Sequence, residues 1–379
     1  MESFTETRAA CFGQGESCLR CQTTGRENRG SETYLLLGAQ NKNAQATLIK
    51  ALQADGIEFQ TRATVLALPL PLNRAGFLAD GLGKRLMDIT TQDVRGSVFS
   101  GDLDDATDAL AAFVNSESLQ TLIAQADYDW VRDALQDNWL FSVFHPILRA
   151  GTSEVYAYEA LLRARHPETG ATIGAFPLID GANRLKMEHV LDQRARQTAI
   201  RNAAALGIPN IRVFINFMPN TIYDPEVCLR TTMETADECG IHISQLVFEV
   251  VETENIPDMK RLGKILDYYR SKGAGTAVDD MGAGFASLEY LTALHPDYVK
   301  LDRDLVVRAE HEPSARQSLD LIIGEAKQLG IQVVAEGIET ESQRLMCRDA
   351  GADFLQGFLF GKPANPPVVI TPQSLQMAA

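Results

Sequence analysis

In the C-terminal part of the chain, short runs of β-branched and aromatic residues alternate with longer runs whose apolar positions recur at helical spacing. The short runs predict strands at Phe141–Leu148, Val155–Leu161, Arg212–Asn216, Leu246–Val251, Gly275–Val278, Tyr298–Leu301, Gln332–Ala335 and Phe354–Leu355. The longer runs predict helices at Glu188–Leu206, Glu226–Cys239, Met259–Ser271, Ala286–Leu294, Ser314–Leu329 and Ser342–Ala350. Strands alternating with helices imply a mainly parallel sheet, and eight of them in about 240 residues is the size of an α/β, TIM-like (β/α)8 barrel. Upstream, Thr33–Leu37 and Thr64–Leu70 read as strands and Ala44–Ala54 and Gly76–Ile89 as helices, which makes a small α/β module. Between the two, Gly101–Asp137 keeps a helical spacing at Leu103, Ala106, Leu110, Phe113 and Val114, resumed at Leu119, Leu122, Ile123 and Ala126. The predicted organisation is a leader over 1–32, a small sensor or regulatory module over 33–100, a helical connector over 101–137, and a barrel over 138–379.

Charge sharpens this division. The 379 residues carry 50 acids against 35 bases, a formal net charge of −15. Residues 1–100 are nearly balanced, with 11 bases and 10 acids, whereas residues 101–140 hold nine acids and one base, Arg132. The connector therefore reads either as helices with a solvated acidic face or as a signalling helix between input and output. The acid excess argues against a protein that grips duplex nucleic acid by neutralising phosphates. It leaves room for a small anionic ligand held through metal ions. A hydrophobic content of 45% is ample for folded cores. Val65–Leu72 is among the longest apolar runs, yet it is far too short to cross a bilayer and is broken by Pro69 and Pro71. Met1–Ala10 is polar, with Glu2 and Glu6, so no secretory signal is expected there and the expected location is the cytoplasm. Six cysteines are too few for a disulfide scaffold. Three of them, Cys11, Cys18 and Cys21, are spaced C-x6-C-x2-C. Two thiolates so spaced can reach one zinc ion, but no His lies in residues 1–144, so they are either half a site completed from elsewhere or free thiols on a leader.

In a (β/α)8 barrel the chemistry gathers at the C-terminal strand ends. The residues expected there are Glu159, Asn216, Glu249, Glu252, Asp279, Asp280, Lys300, Asp302, Glu336 and Gln356. Buried acids are costly unless paired or bound to metal, and one Lys cannot match this many carboxylates. Hard oxygen donors in excess point to Mg²⁺ or Mn²⁺, and a ring of this size suits two ions and metal-assisted hydrolysis of a phosphate ester.

The residues from about 138 to 363 resemble the EAL domain family of cyclic-di-GMP phosphodiesterases. Glu159-Ala160-Leu161, followed by Leu162-Arg163, is similar to the family's signature triplet and its continuation. Phe144-His145-Pro146-Ile147, Asn216-Phe217-Met218-Pro219, Phe248-Glu249-Val250-Val251-Glu252, Asp279-Asp280-Met281-Gly282-Ala283-Gly284, Lys300-Leu301-Asp302, Ala335-Glu336-Gly337-Ile338-Glu339-Thr340 and Gln356-Gly357-Phe358-Leu359-Phe360-Gly361-Lys362-Pro363 resemble its other motifs in order. The resemblance implies opening of cyclic di-GMP to linear pGpG by in-line attack of a metal-activated hydroxide, in a bacterial cytoplasmic homodimer. It implies that Glu159, Asn216, Glu249 and Asp279 ligate one metal and that Asp279 and Asp280 share the second. Lys300 would orient or polarise the attacking water, Glu336 would hold it or act as base, and Gln356 would line the site beside it. Arg163 would grip a phosphate, with Leu162, His145 and Asp302 as further substrate contacts. Glu252 would brace the loop Met281–Ser287, which in this family also lies at the dimer interface. His145, Met218, Val251, Met281 and Ala283 depart from the usual family residues; none is an implied ligand. The alternatives to a phosphodiesterase under N-terminal control are a receptor that binds cyclic di-GMP without turnover and a scaffold with a vestigial site.

Overall fold

The structure, a computed structural model, describes residues 33–54, 56–62, 64–70, 94–103, 113–114, 116–207, 211–250, 258–282 and 287–367. The expected Cys11–Cys18–Cys21 cluster, the helix at Gly76–Ile89, most of the first half of the connector, and Val251, Glu252 and Ala283 lie outside these residues. The described chain divides into two units, one holding Trp139–Ala175 and the chain from His189, the other holding the chain up to Asn138 together with Phe176–Glu188.

The smaller unit is a five-stranded antiparallel sheet in the order β2 (Gln60–Arg62), β3 (Val65–Pro69), β1 (Thr33–Ala39), β4 (Val94–Ser100), β5 (Glu117–Ser118). Helix Lys42–Ala54 links β1 to β2, and β3 lies between them, a split β-α-β arrangement. Leu35 and Leu37 of β1 pack with Leu48 and Leu52 of that helix, with Leu66, Leu68 and Val94, and with Leu119, Leu122 and Ala126. The opposite face of β1 buries Tyr34 and Leu36 with Ala67 and Phe99. The expected connector is thus, in its second half, part of this unit's own core, and it folds as two helices, Leu119–Ala126 and Asp129–Gln136. Helix Ala175–Arg184 also belongs here: its Gly181 lies so close to Tyr128 and Val131 that an added Cβ would sit 2.6 Å from a Val131 methyl. Gln125 Nε2 donates to Glu117 Oε2 (2.8 Å) and to the Arg184 carbonyl (2.9 Å), and Lys186 pairs with Glu117.

The larger unit is a closed eight-stranded barrel. Its order is β6 (Leu140–Arg149), β7 (Val155–Arg165), β9 (Arg212–Phe217), β10 (Leu246–Val250), β11 (Gly275–Met281), β12 (Tyr298–Leu301), β13 (Gln332–Ala335) and β14 (Phe354–Gln356), which returns to β6. A two-residue strand, β8 (Thr172–Ile173), extends the edge of β7. Six neighbour pairings are parallel, as the alternating pattern predicts. β6 runs antiparallel to both β7 and β14. The cause is the connection: residues 150–154 turn directly, with Arg149 and Glu154 hydrogen-bonded, and a parallel return needs a crossover of a dozen residues. The outer core packs strand residues such as Ile215, Phe217, Phe248 and Val299 against helices Glu188–Leu206, Met259–Ser271 and Pro313–Gln328. Among the described residues no helix is long and apolar enough to cross a membrane.

Candidate active site

The inward layer of the barrel takes one residue from every strand: Ile147, Ala157, Phe214, Val247, Ala277, Tyr298, Val334 and Phe354, with Tyr156 added. Tyr156 stacks on Phe354 at 4.0 Å and its hydroxyl lies 2.5 Å from that of Tyr298, so the layer is packed solid. Successive side chains on a strand alternate faces, so the residue two positions nearer the mouth points the same way. Those residues are Glu159, Asn216, Glu249, Asp279, Lys300, Glu336 and Gln356, and, on the antiparallel β6, His145. One hydrophobic layer therefore aligns eight polar groups above it.

Lys300 is the hub of this layer. Its Nζ lies 2.5 Å from both Glu249 Oε1 and Glu336 Oε1, 3.5 Å from Asp279 Oδ1 and 3.6 Å from Glu159 Oε1. Asn216 Nδ2 donates to Glu159 Oε1 (3.0 Å) and Gln356 Nε2 donates to Glu159 Oε2 (2.7 Å). Gln356 Nε2 also lies 2.9 Å from His145 Nδ1. Register pairs His145 with Glu159 across β6 and β7. Adjacent acids on β11 reach the same mouth because the ladder to β12 shifts between Val278 and Met281. Asp280 takes φ +57°, a conformation rare for a residue with a side chain, and its N–H donates to Asp279 Oδ1 (2.8 Å).

Burial sets the protonation. It drives Glu249 well above the ordinary carboxylate range, against the pull of Lys300. The same burial lifts Glu336 to about 8, and burial with the neighbouring Asp279 and Asp302 lifts Asp280 to about 6. Burial alone would lower the Lys300 ammonium, but Asp279, Glu159, Glu249 and Glu336 together hold it well above its usual value. Desolvation lowers His145.

These donors fit divalent ions. Five carboxyls face one ammonium, and Glu249 Oε2 and Gln356 Oε1 are buried with no hydrogen-bond partner. Among the described residues no group of three or more His, Cys, Asp or Glu stands ready to hold a metal ion. The point the carboxylates share is filled by the Lys300 ammonium.

Of the expected substrate contacts, Arg163 lies on β7 beside this layer. Its Nη1 donates to the Leu162 carbonyl (2.7 Å), and among the described residues it forms no ion pair. Burial pulls its guanidinium down while Glu159 holds it up. Leu162 is half-buried on the same strand. Asp302 follows β12 and caps helix Arg303–Ala309, accepting from the Asp304 N–H (3.2 Å). Reasoning from the sequence missed Asp192 and Arg196, a fully buried ion pair on helix Glu188–Leu206. The available signal was an acid and a base four residues apart on a helix face otherwise formed by Leu191, Ala199, Ile200 and Ala203.

Comparison with known proteins agrees with this geometry. An uncharacterized signaling protein of Caulobacter vibrioides is 32% identical over 235 residues, covering 62% of this chain and 29% of that protein. The cyclic di-GMP phosphodiesterase NbdA of Pseudomonas aeruginosa is 30% identical over 236 residues, covering 62% and 30%. The chain thus spans about a third of the length of these relatives. Among solved structures, a standalone EAL protein of Vibrio cholerae in its c-di-GMP-bound form superposes with a TM-score of 0.56 at 32% identity, covering 62% of this chain and 96% of that one. The EAL domain family matches residues 129–363. That match takes in all eight barrel strands and the whole polar layer above them, and the chain belongs to the EAL domain family.

Proposed function

We propose that this chain is a metal-dependent phosphodiesterase that opens cyclic di-GMP to linear pGpG. The observation that carries the reading is the polar layer itself: acids from four strand ends converge on one buried lysine, and amides from two more hold Glu159. Relatives bearing that activity in their names, and a c-di-GMP-bound structure at 32% identity, support the substrate class. Glu159, Asn216, Glu249 and Asp279 would hold one Mg²⁺ or Mn²⁺, and Asp279 with Asp280 a second. Bound ions would supply a hydroxide nucleophile at neutral pH and neutralise charge gathering on the phosphoryl oxygens. Arg163, free of acidic partners among the described residues, takes a substrate phosphate. Lys300 sits where it can orient the attacking water and stabilise the developing charge. Glu336, beside Lys300, would hold that water or take its proton. Gln356 holds the Glu159 carboxylate and lines the water's approach. We further assign control of this site to the N-terminal region, and a homodimeric, cytoplasmic state.

A second reading is a receptor that binds cyclic di-GMP without turnover. What favours it is the closed Lys300 cluster, in which the ammonium already satisfies four carboxylates. One experiment separates the two: purified protein, cyclic di-GMP and Mn²⁺ or Mg²⁺, followed by chromatography. The phosphodiesterase yields pGpG, loses activity in EDTA and regains it with Mn²⁺. Binding with no pGpG selects the receptor.

A further inference from the structure

Asp192 and Arg196 form a buried ion pair one helical turn apart on helix Glu188–Leu206, at 2% and 1% exposure. Taking two charges out of water is costly, so such a pair adds little net stability by itself. Its hydrogen bonds reach elsewhere. Asp192 Oδ1 accepts from the Met218 N–H (2.8 Å), and Oδ2 accepts from Thr221 Oγ1 (2.9 Å) and from Arg196. Arg196 is itself fixed, with Nε donating to Thr232 Oγ1 (3.1 Å). Thr221 Oγ1 lies 2.7 Å from the Met218 carbonyl as well, closing a single 3-10 turn, Pro219–Thr221. This turn begins where β9 leaves the sheet: the ladder to β10 ends at Phe217, and Met218 is the first residue beyond it. Two residues upstream is Asn216, whose carboxamide crosses to Glu159.

We propose that Asp192, braced by Arg196, is a positioning residue for Asn216: it replaces the sheet ladder at the strand's end and fixes the direction in which the Asn216 carboxamide enters the metal-binding layer. This rests on the assignment of Asn216 as a metal ligand. Both carboxylate oxygens are committed, so an amide at position 192 cannot accept all three donors. Losing a partner of this kind costs roughly 10- to 100-fold in metal affinity or activity in metalloproteins.

The test measures Mn²⁺ binding by calorimetry on the full chain, beside thermal melting. Asp192→Asn should weaken Mn²⁺ binding by roughly 10- to 100-fold. Thr221→Val leaves the ion pair intact and removes one hydrogen bond to Asp192; it should weaken binding by about fivefold while keeping a cooperative melt. Turnover of both variants should return toward wild type at saturating Mn²⁺, because the loss lies in ligand placement. Asn216→Ala reports on the underlying assignment: unchanged Mn²⁺ affinity there defeats the site reading itself. With Asn216→Ala weakened, wild-type affinity in Thr221→Val and in folded Asp192→Asn overturns the positioning role. If Asp192→Asn shows no cooperative melt, Thr221→Val alone decides. A turnover deficit in Thr221→Val that Mn²⁺ cannot rescue also overturns it.

Discussion

Glu159 shows how much one side chain carries at this site. Its two oxygens accept the Asn216 and Gln356 amides, and Oε1 lies 3.6 Å from Lys300 Nζ. Glu159→Ala would strand the buried Gln356 amide and the half-buried Asn216 amide and unbalance the lysine while leaving the apolar layer beneath untouched. It should cut turnover of cyclic di-GMP by more than about a hundredfold, beyond the loss expected for an outer partner, with the circular dichroism of the barrel retained. pGpG formation and far-ultraviolet spectra check both halves. Glu336 makes a second prediction, on pH. Its carboxyl titrates near 8 in the folded chain because burial penalises the charged form, far above the ordinary carboxylate range. The folded state therefore binds more protons than the unfolded one between the ordinary value and about 8. The stability this group contributes is full below that ordinary value and is lost as pH rises through 8. Among the proposed ligands, burial likewise holds Glu249 well above the ordinary range and lifts Asp280 to about 6; metal must displace those protons, so Mn²⁺ should raise the melting temperature more at pH 8 than at pH 6, and an equal shift at both counts against the titration. The residues of this layer were legible because each is a charged or amide group in an otherwise apolar strand. Asp192 and Arg196 were not, because a helix carries many charges and spacing alone does not say which are buried.

At the scale of elements, the eight strands were legible because the barrel buries both faces of its parallel strands and so writes them as compact apolar runs. The polar layer followed from the two-residue period. Two features were hidden. The antiparallel course of β6 depends on loop length, and the β11 shift that turns both Asp279 and Asp280 to the mouth depends on one left-handed residue, Asp280. β4 in the small unit also escaped, because Gly96 interrupts its apolar pattern; Leu37 and Leu122 leave no room there, an added Cβ lying 2.8 Å from a Leu37 methyl. A close approach of the same kind fixes the end of β14. Ile338 N donates to the Gln356 carbonyl (3.0 Å) and Leu359 N to the Ile338 carbonyl (3.0 Å), which draws the two backbones together at Gly357. A Cβ on Gly357 would meet the Ile338 carbonyl oxygen at 2.1 Å, and backbone cannot rotate aside as a side chain can. Gly357→Ala should therefore cost about 2 kcal/mol or more, read as a lower melting temperature, and should reduce turnover by shifting Gln356. An unchanged melt would mean that the two loops separate freely.

For the molecule as a whole, the chain's two units do not follow its sequence order. The expected boundary near residue 138 separates barrel from connector, yet helix Ala175–Arg184, threaded between β8 and helix Glu188–Leu206, counts with the smaller unit. Nothing in its own pattern marks this, since an amphipathic helix says that it has a buried face and not what covers it. The same helix leads, through Leu185–Met187, into the helix that bears Asp192, so the smaller unit and the proposed positioning residue are joined by a few residues of continuous chain. The family match begins at residue 129, inside helix Asp129–Gln136, not at the first barrel strand. These facts set where a shortened protein can start. A chain beginning at Asn138 loses Tyr128 and Val131, which cover Gly181, and Glu117 and Gln125, which hold Lys186 and the Arg184 carbonyl. A chain beginning at Ser116 keeps all four contacts. If the contacts matter as their closeness implies, the longer form should melt several degrees higher, as expected for a difference of about 1–2 kcal/mol in a domain of this size. Equal melting of the two forms would show that helix Ala175–Arg184 finds equivalent cover without residues 116–137. The segment would then be a passenger in the smaller unit, and N-terminal control of the site would need another route.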